Sequence, residues 1–394
     1  MEFVIKQSVL KKELGFVQGI VEKKSTIPVL SNILIESVGE NTIRIVGTDL
    51  DVTIRCEAEA EIKTPGAMCI QARKLFDIVR LAEDTDMHFK KLDNDWVQLT
   101  FGDAKKYRLA GVSREQFPEV PEFKSANMSL SADIFNHFIT TTSFAITNEQ
   151  SRFTLSGAKF VIDGGTARMV TTDGHRLAFV ERELATALET KMDTLIPKKS
   201  LIELVKISRE TDSDVSFGED DNHIYFEVEG RLLTTRKLSG QFPNYEMVIP
   251  KDNDKKAVFD SGELKRAVDR VALMADERTR SIRLTVREGE IEVTAQSSEE
   301  GEGKEQVPVE YSGEEVTLGF NSQYLQEFLN IVTSTEMEAT ETENETEGEK
   351  VKVKETGAKP KIAFEFKDSN GSTQMSFAGD TEYDYKYIVM PLRI

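Results

Sequence analysis

The chain has 394 residues, 39% hydrophobic and 30% charged, the proportions of a folded globular protein. Its formal net charge of −19 argues against a protein that grips nucleic acid over its whole surface by neutralising phosphates. It leaves room for a minority of basic residues on one face with acid elsewhere.

The chain holds no run of ~18 apolar residues, so no membrane span is expected. The opening MEFVIKQSVLKKEL breaks each apolar stretch with charge, unlike a secretory signal, and the expected location is cytoplasmic. From that opening on, one plan recurs at a period of about 125 residues, the size of a domain rather than of a solenoid unit. Phe3–Ile5 predict a short strand, followed by a helix with Leu10, Leu14, Val17 and Val21 on one face. Ile33–Ile35 and Ile43–Asp49 alternate as two strands with one buried face. Cys56 and Cys69 sit in strand-like text as small buried residues and make no disulfide framework. Ala72, Leu75, Phe76 and Val79 mark a second helix, and the text after Lys105-Lys106 reads as an edge strand. Gln116-Phe117-Pro118 then closes the unit, since proline cannot donate to a sheet ladder.

The second copy opens with Met128 and Leu130, then a helix through Ile134, Phe138 and Ala145. Strands at Phe160–Ile162 and Arg168–Asp173 flank Gly164-Gly165. A helix with Leu201, Leu204 and Val205 follows, and Gln241-Phe242-Pro243 ends the copy. The third opens with Val258 and Phe259 before Leu264, Ala267, Val268 and Val271, where Asp260 and Glu263 have capping-box spacing. Strands at Ile282–Val286 and Ile291–Ala295 lead to a helix with Leu325, Phe328, Leu329 and Val332.

Two amphipathic helices per copy pack on one face of an antiparallel sheet, which makes the fold class α+β. The expected domains are 1–124, 125–251 and 252–394. Three such units in a row leave free strand edges, and edges invite pairing. Two chains joined end to end would close a six-unit ring. Basic residues on or beside the helices (Lys11, Lys12, Lys23, Lys24, Arg73, Lys74, Arg80, Lys198, Lys199, Lys206, Arg209, Lys265, Arg266, Arg270) mark the helix side as the wall for nucleic acid. The sixth helix carries Gln323 and Gln326 instead. The competing reading of these cations is an ordinary solvated helix surface.

No chemistry stands out. Asp173 beside His175 hints at acid–base work, but His88, His137, His175 and His223 lack metal-ligand spacing. There is no phosphate-binding glycine loop followed by Lys-Ser/Thr and no G-x-S-x-G elbow. No enzyme, metal or cofactor is expected, and the alternative to a nucleic-acid ring is an adaptor that never touches DNA.

GTDLDV at 47–52, TTDGHRLA at 171–178, QFPNY at 241–245 and the terminal YIVMPLRI, in this triplicate frame, resemble the beta subunit of bacterial DNA polymerase III, the sliding clamp. The resemblance covers nearly the whole chain. It implies three clamp domains per chain and a non-enzymatic processivity factor: a head-to-tail homodimeric ring that encircles duplex DNA without sequence preference. It further implies a peptide pocket at which the polymerase III catalytic subunit, the clamp loader, other polymerases, mismatch-repair proteins and DNA ligase dock. Carried over by motif, that pocket comprises Leu155, Thr172, Gly174, His175, Arg176, Leu177, Pro243, Met247, Val248, Asn321, Tyr324, Ile388, Met390, Pro391, Leu392 and Arg393. The resemblance places Lys24, Arg73, Arg80, Arg152, Lys198 and Lys199 toward DNA, and Tyr107, Leu273 and Met274 at the dimer contact. Phe153 and Thr154 follow Arg152, which weakens any aromatic stacking there. Residues 333–360 depart from the family as a polar, acidic and repetitive insertion, expected to be disordered or a mobile loop.

Overall fold

The computed structural model describes residues 1–21, 26–122, 126–149, 151–188, 190–209, 211–334, 345–346, 349–350, 360–379 and 381–393. Most of the acidic insertion therefore lies outside the described residues. The chain forms two compact units: Met1–Ile139 with Thr194–Ser239, and Thr140–Asp193 with Gly240–Ile394.

The helices fall where the apolar spacing puts them. They are α1 (Gln7–Ile20), α2 (Ala72–Leu81), α3 (Ala132–Thr142), α4 (Lys198–Ser208), α5 (Ser261–Val271) and α6 (Ser322–Ser334). Two ends differ from the sequence reading. α1 stops at Ile20, and Val21 is already extended at φ −68°, ψ 127°. α3 stops at Thr142, and Ala145 belongs to a separate 3-10 turn, Ser143–Ala145. The capping box of α5 is present in part: the Asp260 carboxylate accepts from the Glu263 N–H at 2.8 Å. Leu10, Leu14 and Val17 of α1 and Leu75 and Val79 of α2 are buried, as their stripe requires.

The sheets do not stop at the repeat boundaries. In the first unit, Val52–Glu59 of the first repeat pairs antiparallel with Arg231–Arg236 of the second, Val52 opposite Thr235 and Ile54 opposite Leu233. That pairing merges strands of both repeats into one nine-stranded sheet. In the second unit, Arg176–Glu183 pairs with Asp384–Val389, Arg176 opposite Val389 and Leu177 opposite Ile388. An eight-stranded sheet results. Each pairing satisfies a row of backbone groups that a self-contained repeat would leave open.

A smaller sheet completes each unit. The first unit's five-stranded sheet ends at Lys105–Leu109, an edge strand as the sequence suggests. The second unit's four-stranded sheet ends at Gly301–Pro308. Cys56 and Cys69 are buried and free, and burial pushes the Cys69 thiol up to about 11. Among the described residues no helix is long and apolar enough to cross a membrane, and no group of three or more His, Cys, Asp or Glu is placed to hold a metal ion.

Candidate peptide pocket and charged surfaces

The second unit contains a tight turn, Thr172–Arg176, between two strands of its large sheet. The Thr172 hydroxyl donates to the Arg176 carbonyl at 2.6 Å and accepts from the Gly174 N–H at 3.0 Å. Asp173 Oδ1 accepts from the N–H groups of His175 and Arg176 at 2.9 and 3.1 Å. The turn requires a left-handed residue at its tip, and Gly174 supplies it at φ +90°.

The first unit repeats this turn bond for bond. The Thr48 hydroxyl donates to the Val52 carbonyl and accepts from the Leu50 N–H. Asp49 Oδ1 accepts from the N–H groups of Asp51 and Val52. Here Leu50 takes φ +80°. The strand that follows is matched too: the Arg236 N–H donates to the Asp51 carbonyl as the Met390 N–H donates to that of His175.

Beside the second turn lies a cavity of about 240 Å³. The turn contributes Thr172, Gly174, His175, Arg176 and Leu177; the short 3-10 helix after Arg152 contributes Leu155; the segment after Gln241-Phe242 contributes Pro243, Tyr245 and Val248; the last strand and its exit contribute Ile388 and Met390. Ten of these eleven are residues named from the sequence. Tyr245 is the one missed, although it closes the quoted QFPNY motif. Its hydroxyl accepts from Arg168 Nη1 at 3.2 Å, and its ring packs against Phe179.

Other expected pocket residues stand nearby without lining the cavity. Asn321 caps α6, its side-chain oxygen accepting from the Gln323 N–H at 3.0 Å. Tyr324 lies beneath the Arg176 guanidinium, 4.4 Å from ring centroid to Cζ. Met247 is 83% exposed. Pro391, Leu392 and Arg393 continue past Met390, and the Leu392 N–H donates to the Gly319 carbonyl at 2.8 Å. The tail is therefore docked, not frayed.

Arg176 is the buried charge behind the cavity. Its Nε donates to Asp173 Oδ2 at 3.1 Å, Nη2 donates to the Phe144 carbonyl at 2.8 Å, and Nη2 lies 2.6 Å from Glu327 Oε2. Burial works to lower its pKa, but Tyr387 and Glu327 facing it raise the pKa instead, so the cation persists. Tyr387 donates to the Tyr324 carbonyl at 3.0 Å and stacks on Phe328, tying the last strand to α6.

The expected DNA-facing residues share no single fate. Lys24 lies outside the described residues. Arg73 is exposed, and Arg80 is exposed 3.6 Å from Asp77. Lys198 opens α4. Lys199 instead pairs with the Asp49 carboxylate and donates to the Ile20 carbonyl at 2.9 Å, closing the end of α1. Arg152 pairs with Glu149 at 3.1 Å and bonds to the second turn. Lys206, Lys265 and Arg270 each face a carboxylate of their own unit, Glu203, Asp269 and Glu305.

Beside the first unit's edge strand is a cavity of about 290 Å³, with Ile78, Leu81, Ala82, Phe101 and Tyr107 as its apolar lining and Lys74, Asp77 and Lys105 at its margin. Leu81 is 81% exposed and Tyr107 41%. In the second unit, Leu273 is 70% exposed in the Ala272–Met274 turn that follows α5. Met274 sits against Gly303 of that unit's edge strand, where an added Cβ would come within 3.1 Å.

Three family models cover the chain in order: the DNA polymerase III beta subunit N-terminal domain over residues 1–121, its central domain over 129–244 and its C-terminal domain over 246–340. The beta sliding clamp of Pseudomonas aeruginosa is 30% identical over the full length of both chains, and that of Caulobacter vibrioides 31%. A crystal structure of the Pseudomonas aeruginosa clamp bound to griselimycin superposes over the full length of both chains with a TM-score of 0.88 at 30% identity. The Bartonella birtlesii clamp bound to griselimycin, at 28% identity, also covers both chains fully and gives 0.88. By sequence over its whole length and by fold, the chain belongs to the DNA polymerase III beta subunit family, the beta sliding clamps.

Proposed function

We propose that two copies of this chain close head to tail into a ring around duplex DNA and tether the replicative polymerase through the cavity beside Thr172–Arg176. One observation carries the ring. The first unit ends in an edge strand beside an open apolar hollow, and the second ends in an edge strand beside the exposed Leu273. One copy's edge offers what another copy's edge lacks, and such a heterologous contact closes when the rotation is a half turn. Tyr107, Leu273 and Met274 form this contact, with domain boundaries near 124 and 251.

The cavity takes an apolar anchor of a partner peptide, with Met390, Met247 and Val248 as an adaptable rim. The polymerase III catalytic subunit, the clamp loader, other polymerases and repair proteins compete for it. Arg73, Arg80, Lys198 and Lys24 face the duplex without reading sequence. Lys199 contributes more to holding α1 than to phosphate, because Asp49 already neutralises it. The protein works in the cytoplasm as a tether and catalyses nothing itself.

The net charge of −19 favours a second reading, an adaptor that never meets DNA. Retention separates the two. Loaded onto nicked circular DNA, a ring stays bound at salt concentrations that strip phosphate contacts, because escape requires opening a protein interface. It is lost once the circle is linearised. Equal retention on both forms, or none on either, would rule the ring out.

A further inference from the structure

Two walls of the cavity beside Thr172–Arg176 are built differently. One is the tip of a hairpin, Thr166–Thr172 and Arg176–Glu183, whose strands are bonded along their length. The other is a loop. Among the described residues, 240–251 make no backbone hydrogen bond outside the loop; the Val248 N–H turns inward, to the Tyr245 carbonyl at 3.0 Å. Yet this loop supplies Pro243, Tyr245 and Val248 to the lining. Packing holds it: Phe242 and Tyr245 are each 7% exposed, and the Tyr245 ring lies 6.1 Å from that of Phe179. One polar tie is added, from Arg168 Nη1 to the Tyr245 hydroxyl at 3.2 Å. Arg168 belongs to the hairpin, where it stands opposite Glu181 and pairs with its carboxylate at 2.6 Å. Its buried Nε finds no acceptor among the described residues. The bond to Tyr245 therefore joins the hairpin wall to the loop wall.

We infer that Arg168 is a positioning residue for the pocket: through the Tyr245 hydroxyl it fixes the spacing of the two walls, and so the size of apolar anchor that the cavity accepts. The inference rests on the reading of the cavity as a peptide pocket. Arg168 does not line the cavity and acts only through Tyr245. A charged donor holds its acceptor more firmly than a neutral one. A loop held by packing alone, with no backbone bonds to the sheet, shifts at little cost. With the bond, the gap is set before a peptide arrives; without it, the gap follows the peptide.

The test is fluorescence anisotropy on the full-length protein with two fluorescein-labelled peptides. One carries adjacent Leu and Phe residues; in the other, Trp replaces the Leu. The wild type is expected to prefer the Leu peptide. Tyr245→Phe keeps the ring and removes the acceptor. It is expected to bind the Leu peptide about fivefold more weakly, the worth of one net hydrogen bond, and to lose much of the preference over Trp. Arg168→Met is expected to do the same from the other end, and the two changes together to cost no more than either alone. A wild type that binds both peptides equally overturns the spacing role and leaves the pocket standing. So does a Tyr245→Phe protein whose preference is unchanged, even if both affinities fall, since the hydroxyl would then be touching the peptide itself. Effects of the two substitutions that add also overturn it, because they would not act through one bond. A wild type that binds neither peptide removes the pocket reading instead. Should Arg168→Met fail to fold with Glu181 left unpaired, Tyr245→Phe decides alone: a flattened preference supports the inference, and an unchanged one overturns it.

Discussion

Glu13 of α1 and Arg231 meet in the core of the first unit through two hydrogen bonds of 2.6 and 2.9 Å, with the side chains 6% and 8% exposed. The Phe16 ring lies against the same guanidinium at 4.7 Å, and the bond to Glu13 raises the arginine's pKa. Removing one partner strands a buried charge. Glu13→Ala is expected to cost about 3–5 kcal/mol, seen as a lowered urea midpoint, while replacing both residues with methionine costs far less. An Ala variant as stable as wild type would show that water reaches the pair. Pairs of this kind were invisible in the sequence, because Glu13 and Arg231 are 218 positions apart. The same holds for Lys199 and Asp49: helix position and charge make Lys199 look like a phosphate ligand, and only the folded chain brings the carboxylate to it.

Among the elements, helices and strands were legible because burial imposes periods of 3.6 and 2 on the apolar residues. What joins them was not. Val52–Glu59 pairs with Arg231–Arg236, and Arg176–Glu183 with Asp384–Val389, and no local pattern records which distant edge a strand will choose. Helix ends were misplaced at Val21 and Ala145, where apolar residues continue past the last helical turn. Most of the cavity lining was named only through the motifs of the resemblance, since the turn's own chemistry does not single it out: Thr48-Asp49-Leu50 makes the same turn. Tyr245 was missed because it enters on a single 3-10 turn, Tyr245–Met247, too short to show a period. The terminal segment is the element most open to test. Met390 lines the cavity, while Leu392 is held by a single backbone bond to Gly319. Deleting residues 390–394 is expected to abolish peptide binding in the anisotropy assay with the solution mass unchanged; undiminished affinity would move the pocket elsewhere.

For the molecule as a whole, the net charge of −19 and the tied-up cations point the same way: little of the hold on DNA can come from phosphate neutralisation. In the proposed ring, enclosure supplies it, which places the demand on the contact between copies. Leu273 and Met274 changed together to Asp are expected to yield monomers by light scattering, since burying two carboxylates in an apolar contact is costly. An unchanged mass would remove that contact from the assembly. The twin turns bear on stoichiometry. The first holds the backbone frame of the second, yet Leu50 replaces the glycine, Asp51 the histidine and Arg236 the methionine. The backbone frame is shared while the side chains that line the second turn's cavity are not. Under the proposed head-to-tail pairing, a closed pair of chains would therefore offer two berths rather than four, to be shared by turnover.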